Sequence, residues 1–244
     1  IITANDLVVP TNRPIALRIK SRDVIHSWWA PALNGKKDAV PGRVHPLTIE
    51  APEAKEYIGQ CTEFCGLSHA EMRIKVVGMS PDDFQAWAEN QIKPFKAPIG
   101  EAAQAGWSTL ASQCTSCHRI TGMTDPSDPT SKKLFKYPPV VNQVAGEVPN
   151  LTKFMTRTTF AGAKFDLRLP TKECKALGEN WAATDKGIKD CLNREQLEAW
   201  LRNAPAEKAM HPGEAPSPQS RGMNNFNLTE DQIDDLVAFL ITLQ

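Results

Sequence analysis

Three absences narrow the reading of this 244-residue chain before any motif is considered. Neither sign of charge is in excess: 28 basic and 28 acidic residues leave a formal net charge of zero, so the basic face that nucleic-acid binding needs is missing. No run of about 18 apolar residues occurs, so nothing reads as a membrane-spanning helix. The chain opens without a methionine or a secretory leader, so Ile1 is expected not to be the biological N-terminus but that of a processed chain or a fragment. No internal repeat is visible. What is present is a hydrophobic content of 41%, suited to packed cores rather than disorder, and a length that suits two modest domains.

The texture of the chain changes once. Up to about residue 80 it is strand-like: Ile15, Leu17 and Ile19 alternate with polar partners, and Arg73-Ile74-Lys75-Val76-Val77 does much the same. Proline and glycine punctuate these runs, as in Val40-Pro41-Gly42-Arg43. Such a pattern predicts a small antiparallel sandwich or barrel. Ser80-Pro81-Asp82-Asp83 then reads as a helix start, with an N-cap residue, proline at the first position and acids at the positive end of the dipole. Phe84, Trp87, Ala88 and Ile92 share one face of that helix. Lys93-Pro94-Phe95-Lys96-Ala97-Pro98 reads as a linker, because two prolines in six residues favour an extended spacer. Beyond it the pattern is helical: one helix up to Cys114, one near 194–203, and a last one announced by the capping box Thr229-Glu230-Asp231-Gln232 and continued by Ile233, Leu236, Val237 and Leu240. Pro- and Ser-rich loops are expected at 124–139 and 212–220.

The six cysteines fall as three pairs. Cys174 and Cys191 have no His, Met or third Cys near enough for a site, and a disulfide is the simplest reading, which points to an oxidising compartment. Cys61 and Cys65 sit in Cys-Thr-Glu-Phe-Cys-Gly-Leu-Ser-His-Ala-Glu-Met. Cys61, Cys65, His69 and Met72 thus put two thiolates, an imidazole and a thioether within twelve residues. Thiolate and thioether are soft donors and imidazole suits copper, whereas structural zinc sites have little use for Met. His26, at the end of the strand-like Asp23-Val24-Ile25-His26, supplies a second imidazole if a sandwich brings that strand end beside the loop. One Cys would serve a mononuclear copper site; two bridging thiolates can serve two copper ions, each gaining one His and one weak axial donor. Met72 suits one axial place, and a backbone carbonyl between the cysteines suits the other. His45 has no partner in the motif and reads as a surface residue. A redox disulfide between Cys61 and Cys65, or a thioredoxin-type copper chaperone, would be alternatives, but no βαβ pattern surrounds them.

The pattern Cys-x-Glu-x-Cys-x-x-x-His-x-x-Met with His26 upstream resembles the binuclear copper (CuA) motif of cytochrome c oxidase subunit II. His26-Ser27-Trp28-Trp29-Ala30-Pro31-Ala32-Leu33, Lys37-Asp38-Ala39-Val40-Pro41-Gly42-Arg43 and Tyr57-Ile58-Gly59-Gln60 are similar to the same family, over about residues 5–90. The resemblance implies a cupredoxin-like Greek-key sandwich over 1–92. His26, Cys61, Cys65, His69 and Met72 would be copper ligands, with Glu63 giving its backbone carbonyl. The Glu63 side chain would help bind magnesium at the border with subunit I, where Arg43 and Asp38 would also lie. The two membrane helices and the aromatic-rich strand that the family carries upstream are missing from this sequence, so no residue here is assigned as its electron-entry aromatic.

Cys114-Thr115-Ser116-Cys117-His118 is a c-type haem attachment signature: Cys114 and Cys117 would form the thioethers and His118 would ligate the iron. Together with the capped last helix it predicts an all-α class I cytochrome c over 101–244, after a linker at 93–100 and with an insertion around 165–215. The distal ligand lies among Met123, Met155, Met210, Met223 and His211. Met123 is too close in sequence to reach the opposite haem face. Met155 lies in a segment, 150–159, that resembles the part of fused oxidase cytochromes along the haem edge, where Arg157 would neutralise a propionate. Met223, in Gly222-Met223-Asn224-Asn225-Phe226 before the last helix, occupies the position that supplies the distal Met in cytochromes c, with Asn224 in place of the usual Pro, and is the ligand expected here.

The resemblance implies an electron-transfer subunit of a haem–copper terminal oxidase. Electrons would pass from an external donor through haem c to CuA and on to haem a of subunit I, where oxygen is reduced. The donor would be a soluble cytochrome c or a quinol-oxidising complex. The place would be the outer, periplasmic face of a bacterial cytoplasmic membrane, reached through helices absent from this chain. Three alternatives stay open. One is the copper–cytochrome subunit of a nitric oxide reductase. Another is a domain like that of nitrous oxide reductase, which has Trp at the position of Glu63 and a propeller absent here. The last is a free-standing electron carrier or copper-delivery protein.

Overall fold

The computed structural model describes residues 1–128, 130, 133–137, 148–177, 184–209 and 222–244. Seven strands form the N-terminal part: β1 (Asp6–Pro10), β2 (Ile15–Ile19), β3 (His26–Trp28), β4 (Lys37–Ala39), β5 (His45–Ile49), β6 (Glu56–Gln60) and β7 (Arg73–Met79). One sheet has the order β1-β7-β6; β2 pairs with β5 and β3 with β4. Val9, Ile49, Tyr57 and Val76 are buried between the layers, with Ile15, Leu17, Trp28 and Leu47 packed against them. The alternation of Ile15, Leu17 and Ile19 is the inward row of β2 against β5, so period two in the sequence becomes one buried face. The antiparallel reading needs one correction: β1 runs parallel to β7, with Asp6 opposite Lys75 and Pro10 opposite Met79. A parallel pair needs a long crossover, and here all the intervening strands provide it.

Helix α1 (Pro81–Gln91) begins where the sequence signals it, with Ser80 Oγ accepting from the Asp83 N–H at 3.2 Å. After it, 93–100 carries no regular structure, yet it is no free spacer. The Phe95 ring packs against Trp107 and Phe239, with centroids 5.5 and 6.4 Å away. Helix α2 (Glu101–Thr109) continues into a single π turn over Leu110–Cys114. Next come two short strands, β8 (Thr159–Phe160) and β9 (Phe165–Asp166), then α3 (Lys172–Lys175), α4 (Asp185–Asp190), α5 (Arg194–Glu207) and α6 (Glu230–Leu240). The capping box on α6 is formed on both sides, Thr229 accepting from the Gln232 N–H and Gln232 accepting from the Thr229 N–H at 3.0 Å. Helices α2 and α6 cross with backbones in contact. A Cβ on Gly106 would stand 1.9 Å from the Asp235 carbonyl oxygen, so only glycine lets them approach so closely.

One sequence reading changes here. The second part is not all-α, because the β8–β9 hairpin lies within it. The stretch 165–215, expected to be an insertion, contributes to the core. Its described residues Leu167, Ile188, Leu197 and Leu201 belong to the same buried cluster as Trp107, Leu110, Val237 and Phe239. Apolar residues at 197 and 201, one helical turn apart, need a partner surface, and α6 provides part of it. Within this stretch a Cys174–Cys191 disulfide ties α3 to the end of α4. Helix α5 kinks at Asn203, whose side chain accepts from the Ala206 N–H at 3.4 Å and starts a new turn at Pro205. Residues 212–220 lie outside the described residues.

Candidate functional site: two metal centres

The first centre forms because β3 hydrogen-bonds across to the start of the cysteine loop. Gln60 N–H donates to the Trp29 carbonyl at 3.0 Å and Thr62 N–H to the Ser27 carbonyl at 3.1 Å. These bonds set His26 beside Cys61, although 35 residues separate them. Gly59 makes the approach possible, since a Cβ there would lie 2.0 Å from the Trp29 oxygen. On the other side, Cys61 N–H donates to the Met72 carbonyl at 3.0 Å and closes the loop, and a single 3-10 turn over His69–Glu71 presents His69.

The donor atoms converge. Cys61 Sγ and Cys65 Sγ are 3.8 Å apart. Cys61 Sγ lies 4.0 Å from His26 Nδ1 and 3.2 Å from the Glu63 carbonyl oxygen. Cys65 Sγ lies 3.5 Å from His69 Nδ1 and 4.0 Å from Met72 Sδ. Two thiolates bound at about 2.3 Å to one tetrahedral ion stand roughly 3.8 Å apart, and a thiolate and an imidazole roughly 3.5 Å apart. A disulfide would need about 2.05 Å. The spacing therefore fits donors grouped around metal rather than a bonded pair. It also divides the set, with His26 and the Glu63 carbonyl by one sulfur and His69 and Met72 by the other. Soft sulfurs with imidazoles suit copper.

The protonation chemistry agrees. Burial, then the neighbouring Cys61 and the Asp23 charge, push the Cys65 thiol up to about 11. Two thiols this close resist ionising together unless a cation stands between them. Asp23 was missed in the sequence as part of the site. Its Oδ1 lies 2.8 Å from His26 Nε2, which fixes the ring with Nδ1 toward the sulfurs. Burial opposes ionisation of Asp23, but hydrogen bonds with His26, the Val24 backbone and Ser21 bring its carboxyl down to about 2. The only prior sign was a carboxylate three residues before a histidine, which is too common to signal by itself. The Glu63 side chain is exposed and has no other acid grouped with it in a metal-type cluster among the described residues. His45 differs from its reading as a plain surface residue: it is half-buried, with Nδ1 2.6 Å from the Asp38 carbonyl, and so braces the Asp38–Arg43 turn.

The second centre follows α2. The chain turns at the π segment so that the Cys117 and His118 N–H groups both donate to the Cys114 carbonyl, at 3.1 and 2.8 Å. This gathers both thiols and the imidazole on one turn. Cys114 is buried and Cys117 exposed. His118 Nδ1 lies 2.9 Å from the Pro149 carbonyl. If Nδ1–H donates there, Nε2 keeps its lone pair for iron. Burial, assisted by the Arg157 charge and opposed by the Pro149 bond, lowers the His118 pKa and keeps the ring in its neutral, ligating form. This donor chemistry fits a covalently held haem. Pro149 contributes only a carbonyl, so the sequence offered no cue to it.

The distal candidates separate by surroundings. Met123 is a core residue, 1% exposed. Met155 is fully buried, and its sulfur accepts from Arg168 Nη2 at 3.3 Å. Met210 and His211 lie outside the described residues. Met223 is half-buried at the edge of the core that holds Cys114. Arg157 stacks over Phe154 at 5.7 Å and donates to the Asn150 carbonyl.

Comparison with known proteins follows the same division. Residues 1–79 match the family described as cytochrome c oxidase subunit II, periplasmic domain. The chain is 33% identical to cytochrome c oxidase subunit 2 of Alkalihalophilus pseudofirmus, over 98% of this chain and 54% of that one. It is 33% identical to the Bacillus subtilis protein of the same name, over 67% of this chain and 44% of that one. A crystal structure of the periplasmic domain of subunit II of cytochrome oxidase from Bradyrhizobium japonicum aligns at 37% identity and a TM-score of 0.35, over 36% of this chain and 63% of that one. The chain thus spans about half the length of the curated relatives it matches.

Proposed function

The chain belongs to the cytochrome c oxidase subunit II family, and from that premise we propose that it is the electron-transfer subunit of a haem–copper terminal oxidase, with a second, haem-binding electron site fused behind the copper domain. Electrons enter from an external donor, a soluble cytochrome c or a quinol-oxidising complex, at the C-terminal part. They leave from the copper part toward subunit I, where haem a and the oxygen-reducing centre reside. The domain boundaries are 1–92 for the copper domain, 93–100 for the connection and 101–244 for the cytochrome domain. The observation that carries this reading is the donor set itself: two sulfurs 3.8 Å apart, each with its own imidazole.

When bound, the copper pair and the haem each take up and release one electron. The chain's own residues do the rest. Cys61, Cys65, His26, His69, Met72 and the Glu63 carbonyl would hold the copper pair. Asp23 holds the His26 ring, and the β3 contacts hold the strand that carries it. A site that shares one electron over two metals would change geometry little and so would suit electron transfer and not bond chemistry. In the cytochrome domain Cys114 and Cys117 would anchor the haem, His118 and Met223 would hold its iron, and Arg157 is near enough to His118 to act on its charge. The Glu63 carboxylate, exposed as it is, joins magnesium only with ligands from subunit I. The site faces the periplasm, on the outer side of a bacterial cytoplasmic membrane. Among the described residues no helix is long and apolar enough to cross a membrane.

Metal and haem analysis with a visible and near-infrared spectrum of the purified chain tests the reading. Two coppers and one haem per chain, with mixed-valence copper bands beside the cytochrome bands, are expected. One copper or none after reconstitution would overturn the binuclear site. The oxygen-reducing partner is tested separately, because a nitric oxide-reducing partner is a competing reading: co-purification with a subunit that consumes oxygen is expected.

A further inference from the structure

Lys75 is a lysine with no exposure at all, in the middle of β7. Residues Arg73–Val77 alternate in sequence, which would put the Lys75 side chain on the solvent face of the sheet. That face is covered. Lys75 Nζ is 2.7 Å from Glu56 Oε1 and donates to the hydroxyl of Thr158. Thr158 in turn donates to Glu56 at 2.8 Å. Thr158 belongs to the haem-binding part and Glu56 and Lys75 to the copper part. Asp6, opposite Lys75 on β1, is buried, Arg157, next to Thr158, is half-buried, and their charges act on each other. A buried lysine is stable only when paired, so this face is built to meet its cover.

A second contact lies at the other flank of the copper ligands. Glu71, between His69 and Met72, pairs with Lys164 of the β8–β9 turn at 2.6 Å. Ser68, held in the left-handed conformation at φ 66°, donates to the Ala209 carbonyl just past α5. Lys208 is buried beside them and donates to the Ala161 carbonyl at 2.9 Å, which ties the end of α5 to the β8–β9 turn.

We propose that the haem-binding domain clamps the copper ligand loop by a two-point polar contact, Ser68 and Glu71 on one flank and Glu56 and Lys75 on the other. This contact, and not the linker, fixes how the two redox domains face each other. Of the residues that do the clamping, Thr158 and Lys164 follow the segment that carries Pro149 and Arg157, and Ala209 follows α5. The clamp therefore connects the surroundings of His118 to those of His69. The contact is charged and partly wet, as separable interfaces are, so it is sensitive to ionic strength at its outer pair. The part it plays in electron transfer rests on the proposed function; the contact itself does not.

The test is amide hydrogen exchange of the intact, metal-loaded chain, with the haem-to-copper equilibration rate measured alongside it. Lys164→Glu is expected to raise exchange over 68–72 roughly fivefold, and the double exchange Lys164→Glu with Glu71→Lys to return it toward the parent. Thr158→Val, which removes only a hydroxyl, is expected to loosen β7 around Lys75 and leave 68–72 less affected. Unchanged exchange in both Lys164→Glu and Thr158→Val, or a double variant no better than the single, overturns the clamp. Chains that keep the parent exchange pattern but lack copper or haem would sink the proposed function and leave the clamp standing.

Discussion

Gly59→Ala is the substitution that most directly links backbone packing to metal binding. Gly59 lies two residues before Cys61, where β6 passes beneath the strand that carries His26. The added Cβ would stand 2.0 Å from the Trp29 oxygen, 2.8 Å from its carbonyl carbon and 2.9 Å from Ala30 Cα. All three are backbone atoms, so no side chain can swing away, and the strands must part by about 1 Å. The Gln60–Trp29 and Thr62–Ser27 hydrogen bonds, at 3.0 and 3.1 Å, are the ones stretched. Such overpacking costs about 1–3 kcal/mol, or roughly 4–8 °C of melting temperature per kcal/mol in a domain of this size. The effect on the metal is sharper, because ligand distances tolerate only about 0.2 Å. Copper affinity on the His26 side should fall at least about tenfold, the lower end of what disturbing the support of a ligand costs. Copper titration followed by near-infrared absorbance reads this, with the haem bands as internal control. Gly35→Ala, where nothing lies within 4 Å of the new Cβ, is the matched harmless variant. Parent copper content, spectrum and melting in Gly59→Ala would refute the claim that this contact sets the His26–Cys61 approach.

Other outcomes follow from the same geometry. Met72→Leu should shift the copper spectrum and potential and leave the haem bands alone, whereas Met223→Ala should change the haem spin state and leave copper untouched; a low-spin haem that keeps its Met-to-iron band in the second variant would eliminate Met223 as the ligand. Asp23→Asn keeps the shape but weakens the hold on His26, and copper affinity should drop about tenfold or more by competition with a chelator. Asp6 is expected to report on pH: burial raises its pKa against the pull of Lys75 and Arg157. A raised carboxyl pKa adds stability below the unfolded value near 4 and loses it as pH rises through the folded value. Urea unfolding should therefore show Asp6→Asn lacking the parent's extra stability on the acid side and no weaker at pH 7. In the haem-free chain, burial pushes the Cys114 thiol up to about 12 while Cys117 is exposed. An alkylating reagent should reach Cys117 first, and equal labelling rates would contradict the buried setting of Cys114.

Local signals in the sequence were read well because their physics is local. The Ser80 cap and the Thr229 box need only neighbouring residues, and both helices start there. The cysteine loop was legible because its donors lie within twelve residues, and only His26 had to be brought from afar. What was hidden depends on residues that meet across the fold. Lys75 looked solvent-facing because strand periodicity cannot tell which face another domain covers. The parallel β1–β7 pair within an expected antiparallel sandwich left no sign, because alternation carries no strand direction. That part of 165–215 joins the main core shows only in three dimensions, where Leu167, Ile188 and Leu197 share one cluster with residues of α6. Pro149 and Gly59 act through backbone atoms, which leave no mark in a residue pattern.

The distance between Cys61 and Cys65 bears also on how the chain is assembled. Sulfurs 3.8 Å apart need to close by less than 2 Å to bond, and a compartment that sustains the Cys174–Cys191 disulfide is oxidising. Copper must therefore reach the pair before an oxidant does, or a reductant must first reopen it. Oxidation and disulfide exchange begin from a thiolate, and the raised pKa of Cys65 keeps that form scarce at neutral pH. The burial that keeps Cys65 protonated thus also slows attack from that sulfur while it waits for copper.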